Sequence, residues 1–311
     1  MYLPILRGKQ YELLALREFS SEDRASEIIN PIIEPIKSEF KSLGVAASNL
    51  LNSAIGTSIV INPSVGEIKN PEHILRFINE TTFKDNPNLS LAVHSYTEEQ
   101  LAFVLGLITE NDLSGNDIII LHNDVVSKHF SDDIATRFSI KYNFINDKIK
   151  SRRYKYQFDE TTRVLLEDPF ITKQKNVDYL QQDDESFSDL LFTYKDEGFT
   201  GFSDYLTIGE SYSEGGFLPY AVAIHLTYET GDGIRIKHFV SNSNEDYHDT
   251  PGKFAEALEK LVAFTSHLHY KTKAVRILED LYNRSYYPGL GTIKKLSMLN
   301  HLELVKYLLT K

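Results

Sequence analysis

Leu91-Ala92-Val93-His94, followed by Thr97-Glu98-Glu99-Gln100 and an apolar run through Ile108, is the stretch that decides the fold. Three apolar residues closed by a histidine read as a short buried strand ending in a polar group. Thr97 and Gln100 have the spacing of a capping box, in which a hydroxyl and an amide satisfy the first free N–H groups of a helix. A continuous apolar strand leading into a helix indicates parallel pairing with both sheet faces covered. The unit recurs in both directions along the chain. Arg7 closes Pro4-Ile5-Leu6, Glu34 closes Pro31-Ile32-Ile33, Asn62 closes Ile59-Val60-Ile61, and His122 closes Ile118 to Leu121. Asn146 closes Asn143-Phe144-Ile145, and Glu167 with Asp168 closes Val164-Leu165-Leu166. From Arg7 to Glu167 the closing residues fall 27, 28, 32, 28, 24 and 21 positions apart. A strand, a helix and two turns need about that length.

The spacing predicts an α/β fold: a (β/α)8 TIM-like barrel with an added β-hairpin and C-terminal helices. The first helix is expected over Lys9 to Phe19, the second strand over Pro31 to Ile36, and the third over Ser58 to Asn62, ended by Pro63. Asn70 reads as an N-cap, with Pro71 in the first turn of a helix over Glu72 to Asn79. Periodicity fades after residue 125. An eighth strand is expected near Ser203 to Ile208, within a stretch from Gly198 to Gly216 rich in glycine, serine and tyrosine. Thr230-Gly231-Asp232-Gly233 between two apolar runs is a hairpin signal. A symmetric turn there sets His225 opposite His238. From Pro251 the chain reads as two or three helices, broken at Pro288-Gly289. The expected organisation is one domain over 1–311, with a barrel core over about 1–241 and a helical cap over 251–311.

Composition narrows the chemistry. The 311 residues are 41% hydrophobic and 25% charged, which marks a globular chain. With no cysteine, disulfides, zinc-thiolate sites, iron–sulfur clusters and cysteine nucleophiles are excluded. No apolar run approaches the ~18 residues of a membrane span, and the N-terminus lacks the features of a signal peptide. The expectation is a cytoplasmic protein without a membrane partner. The net charge of −11 disfavours nucleic acid, although Lys148 to Tyr156 interleaves basic and aromatic residues. Glycine-rich phosphate motifs, GxSxG and HExxH do not occur.

In a barrel, groups at the carboxyl ends of the strands converge on one mouth. Glu34, His94, Asp168 and Asp204 are therefore the candidate catalytic residues. Arg7, Lys9, Asn62 and His122 are the candidate substrate-binding residues. Carboxylates beside imidazoles suit acid–base work or a divalent metal ion, and an arginine suits an anion. His225 and His238 form a second constellation that would ligate a metal or bind an anion. A plain core-facing hairpin accounts for the same pair.

The chain resembles the beta protein family, a poorly characterised group from bacteria and their phages. The resemblance covers nearly the full length. It rests on the block from Tyr2 to Glu18, on Pro31-Ile32-Ile33-Glu34-Pro35 and Leu166-Glu167-Asp168-Pro169-Phe170, and on Asn176-Val177-Asp178-Tyr179 and Phe202-Ser203-Asp204-Tyr205. The blocks from Ala221 to Tyr228 and from Lys237 to Ser241 complete it. The resemblance implies a cytoplasmic protein with a role in phage–host conflict, beside a companion protein. It carries over no catalytic residue, although its blocks include Arg7, Glu34, Asp168, Asp204, His225 and His238. The resulting expectation is a hydrolase, metal-assisted, acting on a phosphorylated or otherwise anionic small molecule or nucleotide. The rival is a non-catalytic adaptor that recognises a phage component or a companion protein.

Overall fold

The computed structural model describes residues 1–21, 28–214 and 219–311. Gly215 and Gly216, the glycine pair in the expected loop, lie outside the described residues. The chain divides into two compact units, Met1–Asp168 with Thr193–Asp204, and Pro169–Phe192 with Tyr205–Lys311.

The first unit is the barrel. Its strands are β1 (Ile5–Arg7), β2 (Ile32–Glu34), β3 (Thr57–Val60), β4 (Leu89–Ser95), β5 (Asp117–His122), β6 (Ile140–Asn146) and β7 (Arg163–Leu166). The eighth barrel strand is β9 (Gly201–Ser203), because β8 (Asp184–Ser188) belongs to another sheet. Neighbours pair parallel in chain order. The sheet then returns on itself: Leu3 N donates to Phe202 O and Ile5 N to Asp204 O, both at 2.9 Å, so the barrel is nearly closed. Helices α1 (Gln10–Phe19), α2 (Lys41–Asn52), α3 (Glu72–Asn79), α4 (Glu98–Glu110) and α5 (Lys128–Arg137) follow the first five strands. After β6 the connection is made by short 3₁₀ turns over Tyr154–Gln157 and Glu160–Thr162.

Strand alternation separates two cores. Ile59, Ile61, Leu91, Val93, Ile118 and Ile120 face outward, packed against Leu75, Leu101, Val104 and Ile108 of the helices. Parallel partners share a face, so the registers carry the alternation round the sheet. Ile5, Ile32, Ser58, Ala92, Ile119, Phe144, Val164 and Gly201 thus line the interior. The layer mixes small residues with large ones, and side chains rather than an open channel fill the interior of a barrel of this size.

The capping groups sit slightly offset from the expected pattern. Thr97 accepts from Gln100 N at 3.2 Å, while the Gln100 amide oxygen caps Tyr96 N rather than Thr97. Asn70 Oδ1 accepts from Glu72 N at the start of α3. The eighth strand ends at Ser203 rather than running to Ile208, and the hairpin expected within a core to about residue 241 lies in the second unit.

That second unit holds an antiparallel sheet in the order β10 (Ala223–Glu229), β11 (Ile234–Val240), β8, with helices α6 (Thr250–Thr265), α7 (Lys273–Asn283) and α8 (Leu290–Thr310). A buried polar clasp ties α8 to β10. Asn300 Nδ2 donates to Thr227 O at 2.9 Å, and Thr272 Oγ1 donates to Asn300 Oδ1 at 2.8 Å. Among the described residues no helix is long and apolar enough to cross a membrane.

Barrel closure makes a specific demand at Gly201. A Cβ there would lie 2.9 Å from Leu3 Cδ1 and 3.0 Å from Met1 O, whereas one on Gly106, exposed in α4, would meet nothing within 4 Å. Gly201→Val is expected to destabilise by about 1–3 kcal/mol through overpacking. Gly106→Ala is expected to stabilise by about 0.5–1 kcal/mol. Urea denaturation of both variants checks the contrast, and equal effects would contradict this account of closure.

Candidate functional site

The barrel's polar centre is built on the carboxyl ends of β1, β2 and β4. Arg7 and Glu34 are register partners on adjacent strands, and both side chains enter the interior. Arg7 Nε lies 3.6 Å from Glu34 Oε2, and His94 Nε2 lies 3.4 Å from Glu34 Oε1. Ser64 adds two shorter bonds to Oε1, from its backbone N–H at 2.6 Å and its hydroxyl at 2.7 Å. The Glu34 side chain is only 1% exposed. Burial alone pushes a carboxyl pKa upward. Here the His94 ring, the Arg7 guanidinium and the Ser64 hydroxyl outweigh it and hold Glu34 down to about 2.

His94 is held from below and from the side. Asn62 Oδ1 accepts from His94 N at 2.8 Å, and Asn62 Nδ2 donates to His94 O at 2.9 Å. The reason is local. Ile61 N donates to Ala92 O, so the next rung would come from residue 63, which is a proline without an N–H. The Asn62 amide supplies the missing rung. Asn123 Nδ2 contacts both His94 Nδ1 at 3.0 Å and Leu121 O at 3.1 Å. Leu121 O can only accept, which orients the amide and makes His94 Nδ1 an acceptor. The proton of the neutral ring then sits on Nε2, facing the carboxylate. Tyr96 stacks beside this imidazole, with ring centroids 5.9 Å apart.

His122 and Asp204 do not join this centre. His122 shares the outward face of Ile118 and Ile120, so its ring leaves the barrel interior. There Nε2 meets Asn143 Oδ1 at 3.1 Å, and Nδ1 meets the Tyr154 hydroxyl at 2.9 Å. Burial pulls His122 down to about 4 against the Asn143 bond, and burial pushes Tyr154 up to about 12. This is a satisfied core network. It also absorbs the centre of the basic-aromatic run, since Tyr154 is buried and Lys155 Nζ donates to Glu197 O. Asp204 likewise follows the outward-facing Phe202, and the buried Tyr2 hydroxyl donates to its Oδ1. Asn62 positions His94 and so is not free to read a ligand. Asn146 Oδ1 accepts from Lys148 N and closes its own turn. Lys9 immediately precedes α1, with its N–H on Arg7 O at 2.6 Å, and Asp168 lies two residues beyond β7.

The metal expectation is not met by these donors. Among the described residues, no three of His, Asp and Glu come together as a metal-binding group. At the mouth, arginine and histidine occupy the carboxylate that a cation would need. In the hairpin, His225 stands opposite His238 as expected, but their Nδ1 atoms are 2.7 Å apart. That distance is a hydrogen bond between rings, with no room for an ion between the two nitrogens.

Ser64 and Asn123 lie two residues and one residue beyond the strand-closing Asn62 and His122, where the closing pattern does not reach. A parity count would have found Asn123, since it falls on the inward side when His122 falls outward. No family model, curated protein or solved structure matches the chain.

The Glu34 carboxyl is lowered from 4.5 to about 2, so its stabilisation is present above about pH 4.5 and is lost as pH falls toward 2. The shift corresponds to about 3 kcal/mol near neutrality. Glu34→Gln should lower unfolding free energy by about that amount at neutral pH, and the gap should narrow below about pH 4.5. Urea titrations over that pH range check the sign. A gap independent of pH would remove the assignment of an ionised buried carboxylate.

Proposed function

We propose that the barrel mouth is the active site of a hydrolase acting on a phosphorylated or otherwise anionic small molecule or nucleotide. One observation carries the reading: an ionised carboxylate, Glu34, is buried at the carboxyl end of the barrel between a guanidinium and an imidazole. Keeping a charge buried costs several kcal/mol unless it is paired, and active sites are where such arrangements concentrate. Arg7 supplies the fork that binds an anionic oxygen bidentately. His94, with its proton held toward Glu34, keeps the Nδ1 lone pair for a water proton once the Asn123 amide gives way. Glu34 then stabilises the imidazolium that forms, the orienting role a carboxylate plays beside a catalytic histidine. The reading draws on no metal.

A second reading is favoured by a different observation. His122 is spent on core contacts, and Asp204 takes a buried tyrosine hydroxyl, which leaves fewer proton-transfer groups at the mouth than expected. On this reading the protein is a non-catalytic adaptor that recognises a phage component or a companion protein. The resemblance to the beta protein family supports a setting in phage–host conflict for either case.

A thermal-shift screen against nucleotides, sugar phosphates and divalent ions separates the two. A true ligand at a hundredfold excess over its Kd adds about 2.7 kcal/mol to stability. The hydrolase reading expects an anionic ligand whose shift is lost in Arg7→Ala, together with turnover abolished in Glu34→Gln. A shift retained in Arg7→Ala, or equal turnover in Glu34→Gln, would overturn it.

A further inference from the structure

The second unit contains a row of three hydrogen-bonding side chains that the barrel chemistry does not use. Glu185 on β8, His238 on β11 and His225 on β10 share one face of the sheet, as the pairings of Glu185 with Ile236 and of His225 with His238 require. Glu185 Oε1 lies 3.2 Å from His238 Nε2, and His238 Nδ1 lies 2.7 Å from His225 Nδ1. Tyr179 and Phe170 wall the row, with Tyr179 centroids 4.5 Å from His238 and 4.7 Å from His225. Glu185 and His238 are buried.

The chain of bonds fixes the protons. A carboxylate only accepts, so the His238 proton sits on Nε2 and its Nδ1 carries the lone pair. His225 must then donate from Nδ1, which leaves Nε2 as a hydrogen-bond acceptor. Burial, with the neighbouring His238 and Lys294, pulls His225 down to about 3, so the ring stays neutral.

His225 lines a cavity of about 250 Å³, together with Thr207, Lys294, Ser297 and Asn176. The size suits a small metabolite rather than a large cofactor. Two features of the wall point to a ligand. Thr207 is 4% exposed and its Oγ1 has no hydrogen-bond partner. A buried hydroxyl left unpaired costs about 1–3 kcal/mol. It follows Leu206, whose φ of 52° is in the left-handed region. Lys294 stands on the exposed side of α8, and no carboxylate among the described residues pairs with it.

We propose that this cavity is a second ligand site, which takes a small anion bearing a hydroxyl group, a phosphate monoester or a carboxylate of that kind. Lys294 binds the anionic group, Thr207 Oγ1 donates to it, and the ligand hydroxyl donates to His225 Nε2. Glu185 and His238 are positioning residues that set the His225 tautomer. The site is independent of the barrel mouth.

The test is calorimetric titration of the full chain with glycerol 3-phosphate and with glycerate, alongside inorganic phosphate and glycerol as single-group controls. At least one hydroxylated anion should bind more tightly than either control. Lys294→Ala and Thr207→Val should each weaken that binding about tenfold, the scale of one lost charge-assisted or buried hydrogen bond. Arg7→Ala should leave it unchanged, which separates this site from the barrel reading. Long-range ¹H–¹⁵N spectra should show His225 as the Nδ1–H tautomer, with Glu185→Gln shifting it toward Nε2–H. No binding of either hydroxylated anion at millimolar concentration overturns the proposal. Binding unaffected by Lys294→Ala and Thr207→Val, or an Nε2–H tautomer in the free protein, also overturns it.

Discussion

A strand in a closed parallel sheet buries both of its faces, so a polar side chain on it must find partners inside the protein. That constraint organises the first unit. The outward Ile59, Ile61, Leu91, Val93, Ile118 and Ile120 are branched or long aliphatics that pack on α3 and α4. Inward positions are a mixture of small and large residues that fills the barrel. Arg7, Glu34 and His94 enter it at the carboxyl ends of their strands and face one another there. Glu34 has Arg7, His94 and Ser64. His122, on the opposite face of its strand, has Asn143 and Tyr154.

The two histidines show how much one step of alternation decides. Both follow an apolar run, and both are deeply buried. His94 faces inward, beside a carboxylate, with its tautomer set by Asn123. His122 faces outward, among Phe158 and Tyr154, where burial keeps it neutral and every ring nitrogen is satisfied. The first arrangement stores charge at the barrel mouth. The second contributes to packing and to the connection after β6.

The second unit solves the same problem differently. Its sheet is antiparallel, and the polar row Glu185, His238, His225 runs across strands rather than along one. Aromatic rings exclude water from the middle of the row. The last ring reaches a cavity whose wall holds an unpartnered hydroxyl and an ammonium group. A row that ended in solvent would need no such wall.

What the sequence determined by itself was whatever depends on local period and turn chemistry. The spacing of Arg7, Glu34, Asn62 and His94 defined strand, helix and crossover, because a buried strand must be continuous and apolar and a crossover has a minimum length. The Thr230 to Gly233 turn set His225 against His238, because a two-stranded register follows from its turn. Asn62 before Pro63 was visible as a strand end, yet its substitution for a missing ladder rung was not. Tertiary structure alone decided the rest. It placed β8 outside the barrel although it falls between β7 and β9 in the chain. It turned His122 and Asp204 away from the interior, and it brought Ser64, Asn123, Thr207 and Lys294 to sites that no motif marks. The reason is physical: period gives the alternation along one strand, but which face becomes interior is set only by neighbouring strands and by what packs against them.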